Sequence, residues 1–429
     1  MPPADASGGA RARYRSTAMD RVFADARIIA LTGPTTGLDP RIARDVMNAA
    51  ERSSDTPRLA LEPHEDSRDW DYRTGEDEST VIALPDLDTT DLGALLTDIR
   101  NRPGPKKALE VVVCGDYLAV DLSHGIGDGQ MGLMLMAAFS SDVDDARARG
   151  LATGLPDGST WTALRRHYSA KPAALRDFWR LRKEHKSSPS TDGVSTRTIE
   201  NWESAKVSRS AYMDPGRVSE LREWASTNAV GATSASISVA LWRAALEAQN
   251  VPLSEQVMIL FNSRRYLGPE HLASHGNFAV GIPLHLPRNS TPVAIAATMK
   301  QVIDSGWPVA ILGMSEIKDK LLSWRSRGDA PAGNAVIDVP DRVRLAVSDL
   351  GKLRMFDHLQ WADDGRPPQI AASLEPDGPD GMTMLIAEVA GGRTYTASFC
   401  DRMIDSKVVE SALENLCADP LSLLRDVRA

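Results

Sequence analysis

The sequence predicts a mixed α/β (α+β) protein built as two lobes, and three observations carry that prediction. Its 429 residues exceed what one typical compact core accommodates. Strand-like and helix-like patterns are mixed without strict alternation. A polar seam rich in Ser, Pro and Gly, Lys186-Ser-Ser-Pro-Ser-Thr-Asp-Gly-Val-Ser195, interrupts them. The expected organisation is a flexible N-terminus over 1–15, an N-terminal lobe over 16–185, a linker over 186–197 and a C-terminal lobe over 198–429. Hydrophobic residues at 42% supply apolar surface for two cores.

In chain order, Leu109 to Leu122 reads as a β-hairpin folded at Gly115-Asp116, its arms filled with β-branched residues. Gln130 to Phe139 carries an unbroken helical pattern rich in Met, Leu and Ala. From Thr160 to His185, Trp161, Leu164 and Tyr168, then Leu175, Phe178 and Trp179, recur at helical spacing. Beyond the seam, Asp214 is placed to cap a helix with Pro215 at its first position and Val218, Leu221 and Trp224 on one face. A second helix is expected over 233–249. Strands are expected over 256–262, 278–286, 342–347, 382–389 and 394–399.

The chemistry is expected where the hairpin ends, in Asp121-Leu-Ser-His-Gly-Ile-Gly-Asp-Gly129. This stretch puts His124 and Asp128 four residues apart on a turn loosened by Gly125, Gly127 and Gly129, which reach backbone conformations that other residues reach only at a cost. One side chain can then face a cavity while the other anchors the turn. An imidazole accepts a proton near neutral pH without elaborate tuning, whereas an aspartate in a dry turn needs a cationic partner. On these residues alone, a packed histidine beside an ordinary turn fits equally well.

Ser123-His-Gly-Ile-Gly-Asp-Gly129 resembles the His-x-x-x-Asp-Gly signature of the thioester-dependent acyltransferase superfamily. That superfamily includes chloramphenicol acetyltransferase, the condensation domains of nonribosomal peptide synthetases, polyketide-associated acyltransferases and wax ester synthases. Many members carry two histidines in tandem; here Ser123 replaces the first and His124 takes the place of the catalytic second. Asn262 to Glu270, followed by Gly276 to Leu286, resembles the condensation-domain stretch in which an arginine precedes a Gly-x-Phe strand, with Arg264, Gly276, Phe278 and Pro283 in register. The resemblance implies that Arg264 pairs with Asp128. Fainter echoes are Ser16 to Phe23, Leu345 to Leu353 with Asp349 where Asn is usual, and Thr394 to Asp401 with Cys400 in an aromatic slot.

The resemblance implies two chloramphenicol-acetyltransferase-like lobes, mixed sheets flanked by helices, set as a V around a central tunnel. It implies an acyltransferase in which His124 is the general base, Asp128 positions the loop, Gly129 closes the motif, and Ser348 or Asn277 contacts an oxyanion or substrate. No cofactor is expected to stay bound; the co-substrate is a thioester, either coenzyme A or a phosphopantetheine arm. Partners are then a small-molecule acceptor and acyl-CoA or an acyl or peptidyl carrier protein. Two other readings stand beside this one: a condensation-type enzyme joining carrier-bound substrates, and a non-catalytic scaffold or docking relative. By analogy with relatives whose fused halves complete the site, a monomer is expected.

Composition narrows the remaining classes. A net charge of −9 and a pI near 5.5 argue against non-specific nucleic-acid binding. Within that acidic chain, Arg165, Arg166, Lys171, Arg176, Arg180, Arg182, Lys183 and Lys186 form a basic stretch. It reads either as the solvated side of amphipathic helices or as a face for coenzyme A phosphates or an acidic carrier. Cys114, Cys400 and Cys417 have neither metal-site nor redox-pair spacing and are expected to be reduced packing residues. His271 and His275 lack the glutamate of a zinc-hydrolase motif, so no metal is implied. No apolar run reaches the ~18–20 residues that span a bilayer, and the charged start lacks a secretory apolar region. A cytoplasmic protein is expected.

Overall fold

The computed structural model describes residues 13–52, 58–73, 80–139, 151, 154–185, 195–322 and 336–426. Its framework is two mixed sheets. The first has five strands in the order Gln369–Leu374, Arg27–Gly33, Tyr117–Ser123, Leu109–Cys114 and Val81–Ala83. The second has six, in the order Ala279–His285, Leu253–Asn262, Val343–Lys352, Gly381–Val389, Gly392–Cys400 and Lys206–Met213. Parallel pairings occur in both, between 81–83 and 109–114 in the first and on either side of 343–352 in the second.

The hairpin is where the sequence places it: Leu109–Cys114 and Tyr117–Ser123 pair antiparallel, turning at Gly115, whose φ of +60° favours a residue without a side chain. Its apolar runs are continuous because both faces are covered. Along the neighbouring strand, Ile29 and Leu31 pack with Leu92, Leu95, Leu96 and Ile99 of the helix Leu92–Asn101. Ile28 and Ala30 face the other way, toward Met131, Leu135 and Met136 of the helix Gly129–Phe139. That second helix is the one that follows the candidate motif, and burying its apolar side fixes where the motif loop must end.

In the second half of the chain, Asp214 caps the helix Pro215–Asn228 by accepting from the Gly216 and Arg217 N–H groups, with Pro215 at its start. Thr233 caps the helix Ser234–Ala248. The helical stretch expected over 160–185 is two helices, Ser159–Ala170 and Ala174–His185, broken at Lys171-Pro172. Phe178 and Leu181 are buried, while Trp161, Leu175 and Trp179 remain exposed.

The expected linker falls mostly outside the described residues, as do residues 1–12. Tyr14 and Arg15, just after residues 1–12, pair with Trp70 and Asp69, where the Tyr14 ring packs on Trp70 and its hydroxyl donates to Asp20. Gln369–Leu374, far along the C-terminal half, adds an edge strand to the first sheet. Leu385, Ala387 and Val389 of the second sheet pack into the core shared with the helix Gly129–Phe139. The three cysteines are buried free thiols. Among the described residues, no helix is long and apolar enough to cross a membrane.

Candidate active site

His124 is the first residue past the strand Tyr117–Ser123, and its backbone N–H donates to the Ala26 carbonyl at 2.7 Å. Ser123, standing where relatives of the motif carry a histidine, donates through its hydroxyl to the Ala24 carbonyl at 2.6 Å and accepts from the Gly125 N–H at 3.2 Å. It therefore staples the motif loop to the segment carrying Phe23. The Phe23 and His124 rings stack with centroids 4.2 Å apart and planes 18° off parallel. His124 is half-buried, whereas Gly125, Ile126, Gly127 and Asp128 are buried.

Where the motif needs a glycine, it is for a reason other than the expected one. None of Gly125, Gly127 and Gly129 has a positive φ. Gly125 is required by close approach: a Cβ there would lie 3.0 Å from Ala24 Cα, 3.1 Å from the Asp20 carbonyl oxygen and 3.1 Å from the Trp70 ring. Gly129 opens the helix with nothing within 4 Å of a Cβ position.

Asp128 and Arg264 meet in a buried bidentate ion pair, with nitrogen to oxygen distances of 2.8 and 3.2 Å. Asp128 also accepts from the Phe278 N–H at 3.1 Å and the Gln130 N–H at 3.3 Å. Arg264 lies on the short turn Ser263–Tyr266 that ends the strand Leu253–Asn262. Its remaining N–H groups donate to the carbonyls of Ser274 at 2.9 Å and Gly276 at 2.8 Å, and to Asn262 Oδ1 at 3.4 Å. All five guanidinium donors thus find acceptors, and the pair ties the motif loop to the edge of the second sheet.

Asn277 is the second contact across that boundary. Its Oδ1 lies 3.0 Å from His124 Nδ1. Its Nδ2 donates to Asp20 Oδ1 at 2.9 Å and to the carbonyls of His124 at 2.8 Å and Gly125 at 3.2 Å. Both amide N–H bonds are therefore committed, to Asp20 and to carbonyls of the motif loop, and Asn277 also lines the neighbouring cleft. Ser348 sits in the strand Val343–Lys352 opposite Leu385, and takes no part in the hydrogen bonds that join His124, Asn277, Asp20, Asp128 and Arg264. Beside it, Asp349 accepts from the hydroxyls of Ser234 at 3.0 Å and Ser238 at 3.2 Å.

Asp20 and Arg58 complete the constellation, and sequence reasoning singled out neither as a site residue. They form a buried ion pair at 2.6 Å, with Tyr14 donating its hydroxyl to Asp20 at 2.7 Å and the Thr17 N–H donating at 3.0 Å. Burial alone would raise the Asp20 carboxyl, yet the Arg58 charge and the bonds from Thr17, Tyr14 and Asn277 bring it below the usual range. Arg58 also donates to the carbonyls of Ile126 and Gly125. Asp20 and Phe23 lie in the 16–23 segment that carried a faint echo. Arg58 has no local signal, because it reaches the site only through the fold. Burial pushes the His124 pKa below its ordinary value, opposed by its own backbone carbonyl and by Asp128, Asn277 and Asp20.

A cleft of about 230 Å³ reaches this network, with Thr17, Asp20, Arg58, Asn277, Phe278 and Glu316 among its lining residues. Burial raises the Glu316 carboxyl above its usual range.

No protein-family model matches the sequence, and no curated protein matches it. Solved structures do resemble the fold. The first condensation domain of the calcium-dependent antibiotic synthetase superposes with a TM-score of 0.60 at 14% identity, covering 97% of this chain and 98% of that one. The TRI3 trichothecene 15-O-acetyltransferase from Fusarium sporotrichioides gives 0.54 at 12% identity, covering 97% and 98%. The nonribosomal peptide synthetase FmoA3 in its AMPPNP-bound form gives 0.58 at 15% identity, covering 99% of this chain and 44% of that one. The chain therefore has the condensation-domain and acetyltransferase fold.

Proposed function

We propose that this chain is an acyltransferase that moves an acyl group from a thioester donor to a hydroxyl or amine of a small acceptor, in the manner of secondary-metabolite enzymes. The observation that carries this reading is a half-buried histidine on a loop clamped by distant parts of the chain, through Asp128 with Arg264 and through Asn277. A thioester is already activated. The protein must orient the acceptor, take its proton and stabilise the tetrahedral oxyanion.

In this reading His124 accepts the acceptor's proton as the nucleophile bonds to the thioester carbonyl carbon. It returns that proton to the sulfur as the carbon–sulfur bond breaks, and no acyl-enzyme forms. Asp128 and Arg264 hold the loop. Backbone N–H groups near Gly129 and the Ser348 hydroxyl are the candidate oxyanion donors. The fold of the solved neighbours supports the reaction class, and the retained His124, Asp128 and Gly129 speak against a scaffold role. A cytoplasmic monomer, divided near 186–197 into two lobes, belongs to the same proposal.

A second reading, a condensation-type enzyme fed by a carrier protein, is favoured by a specific surface. Arg165, Arg166, Arg176, Arg180 and Lys183 are exposed on the helices Ser159–Ala170 and Ala174–His185, as is Lys171 in the break between them, along with Trp161, Leu175 and Trp179. Such a face suits an acidic partner through attraction that fades with salt. Intact-mass detection of acyl transfer across a panel of acyl thioesters and acceptors tests the reaction. Turnover with acyl-CoA alone supports the first reading, and salt-sensitive turnover requiring an acylated carrier supports the second. No transfer from either donor overturns both.

A further inference from the structure

We infer that the outer face shared by the helices Ala174–His185 and Trp307–Leu322 docks on an anionic lipid surface, its apolar side chains entering the interface and its cations meeting the headgroups. This goes beyond the proposed reaction and does not depend on His124.

No single segment of the chain carries this face. On the first helix, Leu175, Trp179, Arg182 and Lys183 follow one another at helical spacing, with Arg176 and Arg180 in the adjoining row. Ala174, Phe178 and Leu181 take the side turned to the core. Asp177 and Glu184 fall on the flank beyond Arg180, where they pair with it at 3.6 and 3.0 Å. Arg182 joins the two helices: its guanidinium lies 5.5 Å from the Trp179 ring centroid and donates to Met314 Sδ at 3.1 Å, 132 residues along the chain. Met314, Ile317, Lys318 and Leu321 share one face of the second helix. Its carboxylates lie on the other face, where Glu316 accepts from the Ala18 N–H at 3.3 Å and Asp319 pairs with Arg21 at 2.6 Å and Arg68 at 2.7 Å.

A continuous strip results, and its apolar members stand in water. Leu175 is 47% exposed, Trp179 55%, Ile317 47% and Leu321 70%. Arg176, Lys183 and Lys318 are exposed beside them, and among the described residues no ion pair engages these three.

The chemistry of the strip selects its occupant. A protein partner is held in register by directional hydrogen bonds, about one per 100–200 Å² of contact. Apart from the Trp179 N–H, this strip offers only apolar groups and long cations. Such a pattern suits a surface that is anionic throughout and directional nowhere. Acidic headgroups attract Lys and Arg, whose stems reach up from the apolar level, while Trp, Leu and Ile partition into the interface below. The contact is peripheral, since among the described residues no helix is long and apolar enough to cross a membrane.

The test is flotation of the full chain with vesicles of phosphatidylcholine, or of phosphatidylcholine and phosphatidylserine in equal amounts, at low and at high salt. Binding to the mixed vesicles that fades with salt is expected, with much weaker binding to phosphatidylcholine alone. Arg176→Gln combined with Lys183→Gln should weaken it about 25-fold, at about fivefold per cation removed. Leu321→Ser should weaken it about tenfold, whereas Val230→Ser, at a 74% exposed valine away from both helices, should change nothing.

No flotation with the mixed vesicles overturns the inference, and so does flotation that the strip substitutions leave unchanged. An acidic acyl carrier held by this face while vesicles are not makes the occupant a protein, and overturns it too. Melting temperatures near wild type establish that the variants fold; should Leu321→Ser not fold, the paired charge variant decides. Vesicle binding is read without turnover, so failure of the acyl-transfer reading leaves this result standing, and failure here leaves that reading untouched.

Discussion

Replacing Arg264 with alanine is the sharpest test of how the motif loop is held. The guanidinium is fully buried and gives all five of its N–H groups to Asp128, Ser274, Gly276 and Asn262. Its loss leaves Asp128, 2% exposed, with only the Phe278 and Gln130 N–H groups. Breaking a buried pair by removing one partner costs about 3–5 kcal/mol. For cooperative units of this size that corresponds to roughly 6–20 °C in Tm, at about 2–4 °C per kcal/mol. Arg264→Lys should recover little, because an ammonium supplies neither the planar fork nor five donors. Removing Asp128 as well should cost less than the sum of the two single changes, by roughly 0.5–3 kcal/mol. Differential scanning fluorimetry of wild type, Arg264→Ala, Arg264→Lys, Asp128→Ala and the double variant measures these effects. An Arg264→Ala protein melting within a degree of wild type, with additive single changes, would refute the anchoring argument.

Three further outcomes are expected. His124→Ala should lose about 10²–10⁴-fold in turnover while its melting temperature stays close to wild type, because His124 is only half-buried and takes no part in the ion pairs that hold the loop; wild-type turnover on the true substrates excludes the base role. The acid limb of kcat/KM should fall below pH 6.5, since burial depresses the His124 pKa against the opposing pull of Asp128, Asn277 and Asp20. The sign is set by chemistry: only the neutral ring accepts a proton, so activity is lost as pH falls through the folded-state pKa, and a limb at pH 7 or above contradicts this. Gly93→Ala should destabilise by about 1–3 kcal/mol, as its Cβ would lie 2.5 Å from Arg209 Cα where the helix Leu92–Asn101 meets the strand Lys206–Met213; an unchanged urea midpoint argues against that tight seam.

Local patterns carried far into the fold where one physical rule dominated. The hairpin at Gly115-Asp116, the Asp214 cap and the late strands follow from β-branched runs, positive φ and capping chemistry, none of which needs distant contacts. The helical stretch over 160–185 shows the limit. Its spacing put Trp161 and Trp179 on an apolar face, but whether that face meets a core depends on which elements arrive there, and both rings stay exposed.

The site divides along the same line. The sequence by itself determined that His124 and Asp128 stand together after a buried strand and before a helix, since a short glycine-bearing turn leaves them nowhere else to go. Only the tertiary structure decided what each side chain does. Asp128 receives Arg264 from 136 residues away and His124 receives Asn277 from 153 residues away, while Arg58 turns back on Asp20 from 38 residues along the chain. Hydrogen-bond direction is a property of atoms brought within about 3 Å of one another. No local pattern encodes that proximity; the packing of the two sheets does.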